Sequence, residues 1–255
     1  MSFTDRSASG RPNSGIARAG QGAIDQGLRS YMLGVYNYMT IGLGVTGLVA
    51  YGAFRMGTAP SDSGHLALTP FGQAIYVSPL HWLIVLSPLA IIMFFGARLN
   101  AMSAAAARNT FLIFAALIGL SMSALFVRFT GASIGRVFFE TSAAFGALSL
   151  TGYVTKRDLS AFGSFLIMGL WGLIIASVIN VFLQSTGMQW ALSILCIGIF
   201  AGLTAYDTQN IKQAYLAGDG YELTQKKSIH GALMLYLDFV NIFQAMISLF
   251  GNSRD

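Results

Sequence analysis

Three acidic side chains of this 255-residue chain, Glu140, Asp207 and Asp238, fall inside long apolar stretches. A charge at the centre of a membrane helix costs at least ~2.5–3.5 kcal/mol, so each such acid needs a partner or a purpose. Asp207 lies in Thr204-Ala205-Tyr206-Asp207-Thr208-Gln209-Asn210, and Asp238 lies in Leu235-Tyr236-Leu237-Asp238-Phe239-Val240-Asn241. Two carboxylates in contact cannot both ionise cheaply; they share a proton and titrate as a pair. That chemistry is a pH-dependent latch. A shared proton holds two helices together, and its loss repels them or admits a cation. With the oxygens of Thr204 and Asn241, Asp207 and Asp238 also offer the hard ligands that Ca²⁺ prefers. The plainer alternative is that the acids stay protonated and only hydrogen-bond the helices together.

The elements that must position these acids follow from composition. Hydrophobic residues make up 55% of the chain and Asp, Glu, Lys and Arg together 10%. A soluble domain carries about 25% charged residues. So few charges cannot cover a water-facing surface, and the class is an all-α integral membrane protein. Seven stretches are long enough to cross a bilayer: Tyr31–Phe54, Leu80–Ala97, Thr110–Val127, Ile134–Val154, Ala161–Leu183, Gln189–Ile211 and Ile229–Phe250. Pro88 predicts a kink in the second, and Glu140 interrupts the fourth. At 1.5 Å per residue Asp207 stands roughly 12 Å above the end of its helix if that helix runs to about Tyr215, and Asp238 roughly 16 Å beyond Lys227 on the next. Consecutive helices on a short connection are antiparallel neighbours, so the two acids reach one depth. Asp238, Asn241, Ala245 and Ser248 form one helical stripe, and Thr204, Asp207 and Ile211 share a face.

The basic residues set the orientation. Eleven of the fifteen (Arg6, Arg11, Arg18, Arg29, Arg98, Arg108, Lys156, Arg157, Lys212, Lys226, Lys227) fall on one side of seven spans. Arg55, Arg128, Arg136 and Arg254 fall on the other. The bias predicts a cytoplasmic N-terminus and an external C-terminus. The chain then divides into a mobile basic tail (1–29), a membrane domain (30–251) and a short external tail (252–255). The 55–79 connection, with Pro60, Asp62, His65 and Pro70, reads as a plain polar loop. Gly42, Gly44 and Gly47, and the Gly198/Gly202 pair, are expected to let helix backbones approach closely. Glu140 has Arg136 one turn away and reads first as a paired or snorkelling residue, second as an external ion ligand.

Ala205-Tyr206-Asp207-Thr208-Gln209-Asn210-Ile211-Lys212, followed by Ala232-Leu233-Met234-Leu235-Tyr236-Leu237-Asp238-Phe239-Val240-Asn241-Ile242-Phe243, resembles the signature of the Bax inhibitor-1 family. The stretch Gly152-Tyr153-Val154-Thr155-Lys156-Arg157-Asp158-Leu159-Ser160 is similar to the family pattern before its fifth helix. The resemblance runs from the first span to Phe250. It implies a seven-helix bundle with the last helix central, and a paired-aspartate, pH-sensitive gate in a Ca²⁺ leak pathway. It also implies that Arg98, closing the second helix, can pair with Asp207 and Asp238. Bacterial members sit in the plasma membrane, the location expected here. Some members carry an acid within the second helix, where this chain has Ser87 and Pro88.

Other chemistry fails on geometry or on missing residues. Gly131-Ala132-Ser133-Ile134-Gly135 matches a serine-nucleophile pattern, but His230 is expected a membrane thickness from Ser133, and His81, on the same side, has no third member beside it. An intramembrane aspartyl protease also needs two facing acids, yet Asp238 follows bulky Leu235-Tyr236-Leu237 instead of glycines. The seventh span holds no lysine for a retinal Schiff base. The single Cys196 excludes an internal disulfide. No dinucleotide, P-loop or zinc-protease motif occurs. The sequence therefore reads as a non-enzymatic, pH-gated Ca²⁺ leak channel without cofactor, whose partners are the bilayer, Ca²⁺ and protons. No nucleic acid is expected to bind. A membrane-embedded regulator that conducts nothing is the alternative of a different class.

Overall fold

The computed structural model describes residues 14–60 and 66–254. Its helices are α1 (Ser14–Gly57), α2 (Pro70–Tyr76), α3 (Leu80–Arg98), α4 (Ala104–Met122), α5 (Ala124–Arg128), α6 (Gly131–Val154), α7 (Ser160–Leu183), α8 (Thr186–Gln213) and α9 (Tyr221–Phe250). Two three-residue strands, β1 (Thr58–Pro60) and β2 (Leu66–Leu68), pair antiparallel between α1 and α2.

Six segments among the described residues are helices long and apolar enough to cross a membrane: Gln26–Gly57, α3, α4 continued through α5, α7, α8 and α9. This is a helical membrane protein. The expected fourth span forms the unbroken 24-residue α6, but Arg136 and Glu140 lower its apolar character and it is not among the six. Hydroxyls start several of these helices. Ser103, Thr130 and Ser185 accept from the backbone N–H groups of Ala106, Ser133 and Met188, which the first turn would otherwise leave unpaired.

The connections differ from expectation in two places. The 55–79 segment contains the β1–β2 hairpin and α2, which Thr69 caps through Gly72 N. Asp62 and His65 lie outside the described residues. Elements this short carry too few residues for a visible period. At the C-terminal end of the chain, residues 252–254 are held to the bundle. Thr130 N donates to Asn252 O at 3.1 Å, Arg254 N to Arg128 O at 2.8 Å, and Asn252 N to Ser133 Oγ at 2.9 Å. Ser133, the residue of the serine pattern, thus serves a backbone contact. Residues 1–13 of the expected tail lie outside the described residues, and α1 begins at Ser14.

α9 is the most buried of the six apolar helices and α7 the least. It packs against α1, α4, α6 and α8. Tyr236, fully buried, donates to Thr46 Oγ1 at 2.6 Å, and Thr46 in turn donates to the Gly42 and Ala115 carbonyls at 3.0 and 2.9 Å. One hydroxyl pair thereby ties α9 to α1 and α4, with Phe111 and Phe114 edge-on to the Tyr236 ring. Interhelical hydrogen bonds in membranes contribute about 0.6 kcal/mol on average and at most about 1.7. Tyr236→Phe is therefore expected to lower stability by about 1 kcal/mol, because it removes the interhelical bond while Thr46 keeps its carbonyl partners. Denaturant unfolding in detergent micelles measures this; an unchanged midpoint would remove the hydroxyl pair from the account.

The glycine expectation holds in part. A Cβ at Gly42 would strike Phe111 and one at Gly202 would strike Leu166, whereas Gly44, Gly47 and Gly198 have nothing within 4 Å. The tightest backbone approach near the acids lies elsewhere: a Cβ on Gly152 would fall on the Ala205 carbonyl, so α6 meets α8 with no side chain between them.

Candidate functional site

α8 presents its acid between two threonines that serve their own helix. Thr204 Oγ1 donates to Phe200 O, and Thr208 Oγ1 to Thr204 O, both at 2.7 Å. This back-bonding spends each hydroxyl hydrogen on the helix and leaves the oxygen lone pairs available. Thr204 and Thr208 are fully buried, and Asp207 between them is 8% exposed. On α9, Asp238 is 3% exposed and sits among Leu235, Tyr236 and Phe239, all buried.

Two contacts fix the register of α8 against α9. Ile211 packs on Gly231, where a Cβ would come within 3.0 Å of its side chain. The Cys196 thiol approaches the Asn241 carbonyl at 3.7 Å. Asp207 stands one turn from Ile211 and Asp238 one turn from Asn241, so the two acids lie between those contacts. One carboxylate oxygen, Asp238 Oδ2, is buried with no hydrogen-bond partner among the described residues. Burial of an unpaired polar oxygen costs free energy, and it marks a place where a proton or cation would be favoured. Among the described residues no cluster of three or more Asp, Glu, His or Cys forms a metal site.

The remaining candidates are placed as follows. Thr204 belongs to the buried face that carries Asp207. Asn241 is half-buried, and its amide donates to Leu237 O on its own helix at 2.8 Å. Glu140 pairs with Arg136 at 3.7 Å, both about half exposed, and Arg136 also donates to Phe250 O. That pair belongs to the end of the bundle near Phe250, away from the two aspartates. Arg98 is exposed at the end of α3, its guanidinium 5.9 Å from the Phe94 ring centre. The ion pairs among the described residues are Arg136–Glu140 and Lys227–Asp219, so the structure does not pair Arg98 with either aspartate.

A family model described as "Inhibitor of apoptosis-promoting Bax1" matches residues 28–255. The chain belongs to the Bax inhibitor-1 family. It is 42% identical over 232 residues to an uncharacterized protein of Rickettsia prowazekii, covering 91% of this chain and 93% of that one. It is 39% identical over 230 residues to the inner membrane protein YbhL of Escherichia coli, covering 89% and 94%. An uncharacterized membrane protein of Streptococcus pyogenes is 31% identical over 241 residues, covering 90% and 95%.

Within the family motifs the structure reveals supports that sequence reasoning passed over. Gln209 grips the loop between α6 and α7: its Nε2 donates to Arg157 O at 2.8 Å and its Oε1 accepts from Leu159 N at 2.9 Å. Lys212 Nζ donates to Tyr153 O and lies 4.9 Å from the Tyr153 ring centre. Ser160 holds the exposed Asp158 carboxylate below the usual range by hydrogen bonds from its side chain and backbone. A chain of hydroxyls, Tyr36 Oη to Ser149 Oγ at 2.7 Å and Ser149 Oγ to Thr208 Oγ1 at 2.9 Å, runs from α1 through α6 to the neighbour of Asp207. The visible signal was the i, i+4 spacing of Thr204 and Thr208; the partners on α1 and α6 are too distant in sequence to be read from spacing.

Proposed function

We propose that this protein is a seven-helix, pH-gated Ca²⁺ leak channel of a bacterial plasma membrane, with Asp207 and Asp238 as the gate. The observation that carries the reading is the pair of buried acids on two packed neighbouring helices, one oxygen of Asp238 without a partner among the described residues. Protonated, the pair hydrogen-bonds α8 to α9. Deprotonated, it supplies two negative charges that repel each other and attract a divalent cation. Because no third acid among the described residues joins them, Ca²⁺ would draw its other ligands from Thr204, Asn241, carbonyls and water, a set suited to passage more than to retention.

In this reading α6 also crosses the membrane, as the fourth of seven spans. Its 24 residues extend roughly 36 Å, enough for a hydrocarbon core of about 30 Å. α9 is the axis against which the others move, supported by its burial. The excess of Lys and Arg supports a cytoplasmic N-terminus, and the likeness to an inner membrane protein of E. coli supports the plasma membrane. Arg98 is the counter-ion that a deprotonated pair recruits, leaving Phe94 to do so, and Glu140 is the outer acid of the route. Proteolysis is disfavoured by the same burial. A peptide bond reaches the two carboxylates only if α8 and α9 part.

Purified protein in liposomes loaded with a Ca²⁺ indicator tests the reading at pH 8. Ca²⁺ entry clearly faster than in protein-free liposomes is expected. Equal rates would favour a regulator that conducts nothing, and cleavage of a transmembrane substrate lost in Asp207→Asn and Asp238→Asn would favour a protease.

A further inference from the structure

We propose that the groove between α1 and α6 binds one acyl chain of an anionic phospholipid, with the headgroup phosphate at Arg29. The two helices are bridged by the Tyr36–Ser149 hydrogen bond and part around it to leave a groove of about 1200 Å³. Its floor is Phe145 and Phe239, both buried, and its width comes from Gly44, Gly47 and Gly146, where a Cβ would meet nothing within 4 Å. The rim residues Leu33, Leu48 and Leu150 are 55%, 76% and 61% exposed. In a membrane protein such a rim faces hydrocarbon, and a groove this apolar holds chains in preference to water.

Lipid tails are as apolar as the groove walls, so burying a tail does not select one lipid over another. Selection comes from charge, and charge is found at one end. Arg29 lines that end, beside Tyr153 with the Lys212 ammonium over its ring, and Lys156 and Arg157 follow directly in the chain. The one acid in that stretch, Asp158, is turned to Ser160. The arrangement fits a phosphate at the membrane surface with a tail running inward along Met39 and Leu43. The site is independent of whether the protein conducts Ca²⁺.

Full-length protein in liposomes doped with phosphatidylglycerol or phosphatidylcholine, each carrying a photoactivatable acyl chain, tests this by mapping labelled peptides. Phosphatidylglycerol is expected to label α1 and α6 groove residues more heavily than the exposed face of α7, taken as a control for bulk lipid. Arg29→Gln is expected to cut the preference for phosphatidylglycerol over phosphatidylcholine about fivefold. Gly44→Leu with Gly146→Leu, which fill open space, should lower groove labelling and leave α7 labelling unchanged. Labelling no heavier in the groove than on α7, equal labelling by both lipids, or crosslinking of a second protein chain through the groove would each overturn the proposal.

Discussion

Asp238→Asn is expected to flatten the pH dependence of Ca²⁺ flux between pH 6 and 8 and to lower flux at pH 8 about tenfold. The substitution keeps the shape of the side chain and removes its charge and its acid proton. Two unit charges about 4 Å apart exchange roughly 4 kcal/mol at an effective dielectric of about 20. A tenfold effect needs about 1.4 kcal/mol, well within that. Asp207→Asn should act in the same direction with a smaller effect on folding, because Asp207 is slightly more exposed. Flux read with a trapped indicator, alongside unfolding midpoints in detergent, separates gating from stability. Wild-type pH profiles in both variants would remove the pair from the gate.

Gly152→Leu is expected to destabilise the fold by about 2 kcal/mol or more. A Cβ there falls on the Ala205 carbonyl, and backbone cannot swing aside as a side chain can. Overpacking a close contact costs typically about 1–3 kcal/mol. Here the displacement would also stretch the Ser149–Thr208 hydrogen bond and pull Tyr153 from Lys212, both made across the same crossing. Gly146→Leu, one and a half turns earlier on α6, is the control. It enters open space and should shift the unfolding midpoint by less than about 0.5 kcal/mol, or raise it through better helix propensity. Equal midpoints for the two variants would contradict the α6–α8 contact.

The long helices were legible because apolar runs of bilayer length have one favourable solution, and Asp207 and Asp238 were legible because a carboxylate in such a run is expensive. The structure buries both, one on α8 and one on α9, and those two helices pack against each other. What escaped the sequence depends on which faces meet. Gly152 and Gly44 look equivalent as letters, yet one sits under the Ala205 carbonyl and the other opens onto a groove. Gln209 and Lys212 belonged to the recognised motif, but their partners at residues 153, 157 and 159 lie some fifty positions away, beyond any helical period. Arg98 shows the opposite case. The resemblance supplied its partner, and the structure sets its guanidinium over Phe94.

The central claim is that loss of the proton shared by Asp207 and Asp238 opens a path for Ca²⁺. A titration of Ca²⁺ flux through wild-type protein in liposomes, from pH 6 to pH 8, tests it most directly when run beside the Asp207→Asn/Asp238→Asn double variant. Wild-type flux is expected to rise with pH as the pair deprotonates, and flux in the double variant to stay low and independent of pH. Wild-type flux that stays at the protein-free level across the range, or a double variant that retains the wild-type rise, would contradict it.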